Sequence, residues 1–157
     1  MIVPLLFAFG LICATVLIHA LGTWEAVVYL ARVWSQRKQN QGPLTTEFQM
    51  VRVVSVMLLL HLAEAGTWAG FYRISGLIPE LETAIYFSIT SYTTVGYGDV
   101  VLPAPWRLLG PIEAAVGILM FGWSTAIIVA AITRMEGNRL PRGSEAQGNE
   151  RGPKNGE

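Results

Sequence analysis

Apolar residues along this chain fall into three long blocks, parted by two interruptions and followed by a polar end. Ile2 to Leu21 carries no formal charge and only His19 near its close. At about 1.5 Å of rise per residue, such a run crosses roughly 30 Å of hydrocarbon as a helix. A cleaved signal peptide has a similar core, but no Lys or Arg precedes the apolar part and no clear small-x-small pattern follows it. A retained helix is therefore expected. Apolar residues continue at helical spacing through Trp24, Val27, Val28, Ala31 and Trp34, interrupted by Glu25 and Arg32. The tryptophans and Tyr29 suit a helix end at headgroup level, either as an extension of the first helix or as a separate interfacial one. Gln36 to Glu47 is polar, contains Gly42-Pro43 and reads as a loop. Val51 to Phe71 is the second span, with His61 and Glu64 inside it, and the third starts between Pro105 and Pro111 and runs to about Thr133.

A shorter element lies between the second and third blocks. Ser75-Gly76 marks a turn, and Pro79 suits the first position of a helix. Glu80 and Glu82 complement the positive end of that helix, which runs to about Thr93 and is roughly 20 Å long. It is too short to span, so it should dip in and return, which is tolerated only inside protein or beside water. Its carboxyl end then favours a cation near the membrane centre. The helix delivers the chain to Thr93-Thr94-Val95-Gly96-Tyr97-Gly98-Asp99. Gly96 and Gly98 accept positive φ without steric penalty, as a loop requires if stacked backbone carbonyls are to replace an ion's water shell. A tight glycine turn is the plain alternative for Gly-Tyr-Gly alone. The complete run, placed between two spans, argues for the filter.

These residues resemble the selectivity filter of potassium channels, and residues 51–133 resemble the pore module of that family: outer helix, pore helix, filter and inner helix. Ala84-Ile85-Tyr86-Phe87-Ser88 is similar to its aromatic-bearing pore helices. The resemblance implies that the carbonyls of Thr94, Val95, Gly96 and Tyr97 bind potassium, with Thr93, Gly98, Asp99 and Tyr86 in support. It further implies a hinge at Gly117 and Gly122 in the inner helix, and a homotetramer with one loop per subunit. The layout resembles a small bacterial ion-channel protein with an extra N-terminal span. Two departures stand out. Thr90 occupies the position where some simple bacterial channels carry a glutamate that pairs with the filter aspartate, leaving Tyr86 as a candidate donor to Asp99. No span carries arginine at every third residue, so the usual voltage sensor is absent.

Composition and charge sharpen this picture. Of 157 residues, 52% are hydrophobic and 14% charged, which is too apolar for a soluble domain of this size. A net charge of zero gives nucleic acid no purchase, and the lone Cys13 implies neither a disulfide framework nor a metal cluster. Arg32, Arg37, Lys38 and Arg52 lie between spans one and two, and Arg134, Arg139, Arg142, Arg151 and Lys154 follow span three. That is nine of the eleven basic residues; only Arg73 and Arg107 flank the pore loop. The bias puts the N-terminus outside and the C-terminus in the cytoplasm of a plasma-membrane protein.

The expected fold is an all-α membrane protein, with three transmembrane helices plus a re-entrant pore helix and selectivity-filter loop. Residues 1–34 form the N-terminal helix with its interfacial extension, 35–50 a cytoplasmic loop, 51–133 the pore module and 134–157 a disordered cytoplasmic tail. The expected function is a potassium-selective channel and not an enzyme, with potassium ions and membrane lipids as partners and no cofactor. A non-conducting subunit that modulates another channel is one alternative. An intramembrane metalloenzyme using His19, His61, Glu64 and Glu113 is another, although no His-Glu-x-x-His motif is present. Ionisable groups at membrane depth usually face the protein interior with a partner. Glu64, Glu113 and His61 are accordingly candidates for one hydrogen-bonded cluster behind the pore helix. The plainer alternatives are a core histidine at 61 and, with Pro111 at the first helical position, a Glu113 that only complements its helix start.

Overall fold

The computed structural model describes residues 2–35 and 43–137. Four helices follow in order: α1 (Ile2–Ser35), α2 (Pro43–Ile74), α3 (Leu81–Tyr92) and α4 (Leu109–Gly137), with a single 3-10 turn at Trp106–Leu108 leading into α4. There is no strand among the described residues. Trp24 to Trp34 proves to be a continuation of α1, because nothing after Gly22 in that stretch breaks a helix. The loop expected over 35–50 is shorter than the sequence suggests. Pro43 opens α2, where its fixed φ suits a first turn and its missing N–H costs nothing, so residues 43–50 are helical. Residues 36–42 lie outside the described residues, as does most of the expected disordered tail. Residues 134–137, assigned to that tail, extend α4 instead.

The short helix begins at Leu81, two residues later than Pro79 implied. Glu80 is its N-cap with an extended backbone, accepting the Ala84 N–H at 2.9 Å. Twelve residues make α3 about 18 Å long. Three other segments are long and apolar enough to cross a membrane: Ile2–Tyr29, Phe48–Ile74 and Trp106–Thr133.

Packing inverts the rule of soluble proteins. α3 sits against both α2 and α4, while α1 packs along those same two helices. The core centres on Trp68, Tyr72, Tyr92 and Leu109, and beside them His19, Glu64, Ser88 and Glu113 are fully buried. Leu6, Leu17, Leu59 and Leu119 meanwhile face outward with more than three-fifths of their surface free. In water each outward leucine would forgo roughly 1.5–3 kcal/mol of burial. In hydrocarbon it forgoes nothing, whereas polar groups must find partners inside the protein. The chain is a multi-pass membrane protein.

The approach of α3 to α4 depends on one missing side chain. A Cβ on Gly117 would lie 2.0 Å from the Tyr92 carbonyl oxygen, whereas one on Gly122 would meet nothing within 4 Å. Backbone cannot move aside as a flexible side chain can, so Gly117→Ala must push the end of α3 away. We expect this change to lower thermal stability in detergent by about 1–3 kcal/mol. Gly122→Ala should leave it unchanged or slightly raised, because alanine is the better helix former. Equal melting temperatures for the two variants would contradict this packing.

Candidate functional site

The loop after α3 is tied back onto the helix that delivers it. The Thr93 N–H donates to the Ile89 carbonyl at 3.0 Å, Thr94 N–H to Ser91 at 2.9 Å, and Gly96 N–H to Thr90 at 3.0 Å. The Thr93 hydroxyl also donates to Ile89 at 2.7 Å. Carbonyls otherwise orphaned at the helix end are thus satisfied by the loop's own donors. Along the loop φ is positive at Thr94 (65°), Gly96 (51°) and Gly98 (78°), and not at Val95 or Tyr97 between them. In an extended strand successive carbonyls point to opposite sides. Alternating the sign of φ residue by residue rotates every second peptide, which turns successive carbonyls toward the same side.

Glycine explains two of these positions but not the third. Sequence reasoning assigned positive φ to Gly96 and Gly98 only and missed Thr94. A β-branched residue there is strained by about 1–3 kcal/mol and persists only when its surroundings hold it. The hydrogen bonds from Thr94 and Gly96 back to α3 supply that hold. The period-two spacing of Thr94, Gly96 and Gly98 was the signal available in the sequence.

Tyr86 supports the far end of the loop. Its hydroxyl donates to Asp99 Oδ2 at 2.7 Å, and its ring stacks on Tyr97 with planes 9° apart. The donor expected for Asp99 is therefore present, one helical turn before Thr90. That hydrogen bond holds the exposed Asp99 carboxyl below the usual carboxylate range, with the Asp99 and Val100 backbone N–H groups contributing.

Behind α3 the structure holds two polar clusters where the sequence suggested one. Glu113 accepts from Tyr72 at 2.7 Å and from Ser88 at 2.5 Å, and the Ser88 hydroxyl also lies 2.6 Å from the Ala65 carbonyl. Glu64 accepts from the Tyr92 hydroxyl and pairs with His19 Nδ1 at 2.7 Å. His61 Nδ1 lies 3.2 Å from the Tyr92 oxygen and 3.4 Å from Glu64. Among the described residues no hydrogen bond joins the two acids, because each is met by its own donors. Ser88 and Tyr92 are four apart, so both clusters grip one face of α3. The sequence reading left Ser88, Tyr92 and Tyr72 out of the cluster, although a Ser and a Tyr four apart on the short helix were its clue.

Ligand atoms of His19, His61 and Glu64 lie within 4.8 Å of one another, while Glu113 is not in that group. The fit to a metal is poor. Tetrahedral zinc with bonds of about 2.0–2.2 Å sets its ligands roughly 3.3 Å apart. The His19–Glu64 contact at 2.7 Å is a hydrogen bond, and both Glu64 oxygens already accept donors. Of the two inner glycines, Gly117 lies against Tyr92 and Gly122 faces open space.

The family described as Ion channel matches residues 54–134, just over half of the chain. This chain belongs to that family. The voltage-gated potassium channel Kch of Escherichia coli (strain K12) is 35% identical over 82 residues, which is 50% of this chain and 20% of that protein. The chain thus spans about a fifth of its relative's length. The kinship with potassium channels expected from the loop is borne out. α1 lies wholly before the matched region. No solved structure matches this chain. Membership of an ion channel family points to a channel rather than an enzyme.

The Asp99 contact has a measurable consequence. In the wild type, carbon-13 NMR should find Asp99 titrating below the ordinary carboxylate range, and Tyr86→Phe should return it toward that range. The sign follows from linkage: a lowered folded value contributes stability above the unfolded value, lost as pH falls through the folded one. An Asp99 titration unmoved by Tyr86→Phe would show that the hydrogen bond does not form.

Proposed function

We propose that this chain forms a potassium-selective channel, with the 93–99 loop as its selectivity filter. The observation that carries the reading is the alternation of φ at Thr94, Gly96 and Gly98 on a loop anchored to α3. Stacked carbonyls of Thr94, Val95, Gly96 and Tyr97 then replace the water shell of a dehydrated potassium ion. Thr93, Gly98, Asp99 and Tyr86 hold that stack in shape. α3 is the re-entrant pore helix, with the negative end of its dipole toward the ion path.

A ring of carbonyls needs several strands around one axis, so four copies assemble, each contributing one loop. In the single chain Val95 and Tyr97 are 52% and 71% exposed, which suits residues that other copies are to cover. α4 lines the inner cavity and bends to open it at Gly117 or Gly122. Gly122 has the greater freedom, because Gly117 is engaged with Tyr92. The excess of Lys and Arg between spans one and two and after span three supports a cytoplasmic side for both at the plasma membrane, with the N-terminus and filter mouth outside. No span carries regularly spaced arginines. One charge crossing the field is worth about 2.3 kcal/mol per 100 mV, so steep voltage gating is not expected.

Reconstitution into planar bilayers tests this reading. Potassium current should exceed sodium current, be blocked by barium and activate with little voltage dependence. Gly96→Ala should abolish conduction or selectivity, because a Cβ opposes the positive φ there. Wild-type current without preference for potassium would sink the assignment, and a Gly96→Ala channel of unchanged selectivity would sink the mechanism. A silent wild type that alters the current of another channel subunit would favour the modulatory role.

A further inference from the structure

We infer that His19 of α1 is a positioning residue for the filter, and that proton uptake at His19 and His61 lowers potassium conduction. The inference rests on the channel reading above. It concerns α1, the helix that precedes the family match. His19 is fully buried and pairs with Glu64 of α2 at 2.7 Å; Glu64 in turn accepts the hydroxyl of Tyr92. Tyr92 is the last residue of α3, two positions before the strained Thr94, and its carbonyl is the atom packed on Gly117 of α4. A short chain of polar contacts therefore runs from α1 to the start of the filter. Trp68 Nε1 donating to Thr15 Oγ1 at 2.9 Å, one turn before His19, fixes the register of α1 on α2.

The groups around this chain decide the sign of its response. α1 contributes His19; α2 contributes His61 and Glu64; α3 contributes the neutral Tyr92 phenol. From α4 come the Ser124 hydroxyl, 3.5 Å from His19 Nε2, and the rings of Trp123 beside His19 and Phe121 beside His61, none of them charged. Glu113, also on α4, reaches Tyr92 only through space and makes its hydrogen bonds to Ser88 and Tyr72.

With both imidazoles neutral the cluster carries the single negative charge of Glu64. One proton makes it neutral, and a second makes it positive. The cluster lies at the carboxyl end of the pore helix, where negative charge favours a cation in the pathway and positive charge opposes it. Tyr92 gives its single hydroxyl proton to Glu64, so its phenol oxygen can only accept from His61 Nδ1, 3.2 Å away. Positive charge beside the pathway opposes the ion, so conduction falls as the imidazoles take up protons.

The test uses the full chain reconstituted in liposomes, with potassium and sodium flux measured from pH 8 to pH 5. Wild-type potassium flux should fall by about threefold or more across that range. His19→Gln, which keeps a donor for Glu64 but takes up no proton, should still select potassium while its pH response shrinks. The response should vanish in His19→Gln/His61→Gln. His19→Ala, which removes the donor, should reduce the preference for potassium at pH 8, and Gln at this position should rescue it. Gel filtration in detergent confirms that each variant is assembled.

A wild-type flux indifferent to pH overturns the inference without any variant. So does an assembled double variant with the wild-type pH profile. Zinc inhibition that requires His19 and disappears with EDTA, in place of a proton response, overturns it in favour of a metal site. No potassium flux from the wild type removes the channel reading and this inference with it; potassium flux with unaltered variants removes only this inference.

Discussion

A carboxylate buried among membrane-embedded helices must be surrounded by donors, and the two among the described residues each draw one from the same short helix. Glu113 takes Ser88 of α3 together with Tyr72, and Glu64 takes Tyr92 of α3 together with His19. Breaking one such arrangement by removing a partner leaves a buried charge or polar group unsatisfied, at a cost of about 1–3 kcal/mol or more. α3 therefore cannot slide or rotate without opening both. Its position fixes where the loop starts, and the loop's own hydrogen bonds to α3 fix the backbone at Thr94 and Gly96. A residue in a strained conformation needs a rigid support, and this helix is gripped at two points four residues apart.

Apolar surface contributes differently here than in a soluble domain. Outward leucines and valines give lipid a matching surface but no inward force, so helix association leans on close packing and polar contacts. The closeness of Gly117 to the Tyr92 carbonyl and the Trp68–Thr15 hydrogen bond are both of that kind. The first sets α4 against the end of α3, and the second sets α1 against α2. A helix outside the family match is joined, through Glu64, to the element nearest the proposed filter.

Much of this was legible in the sequence, for reasons that differ by element. The three spans follow from length and hydropathy alone, which need no tertiary context. The loop was legible because a positive φ selects glycine, and Gly96 and Gly98 record that selection directly. Thr94 was marked only by its period-two spacing from those glycines, because a threonine itself has no preference for positive φ. The start of α2 at Pro43 was hidden by a polar composition that reads as loop when no packing is considered. The pairing of the acids was half legible. Burial of Glu64, His61 and Glu113 follows from their depth in apolar helices, but partner choice depends on how helices rotate about one another. His19 joined Glu64, and Glu113 found Ser88 and Tyr72, contacts separated by tens of residues in the chain.

The central claim is that the backbone of residues 94–97, repeated around an axis, forms a row of sites for a dehydrated cation. Crystals of the detergent-solubilised protein grown with thallium(I), an anomalous scatterer of potassium-like size and charge, address it directly. The expected result is a four-fold assembly with a column of anomalous peaks on the axis, between the carbonyls of Thr94 and Tyr97, and fading when sodium replaces thallium. An assembly that leaves these loops apart, or a four-fold one with no thallium on its axis, would contradict it.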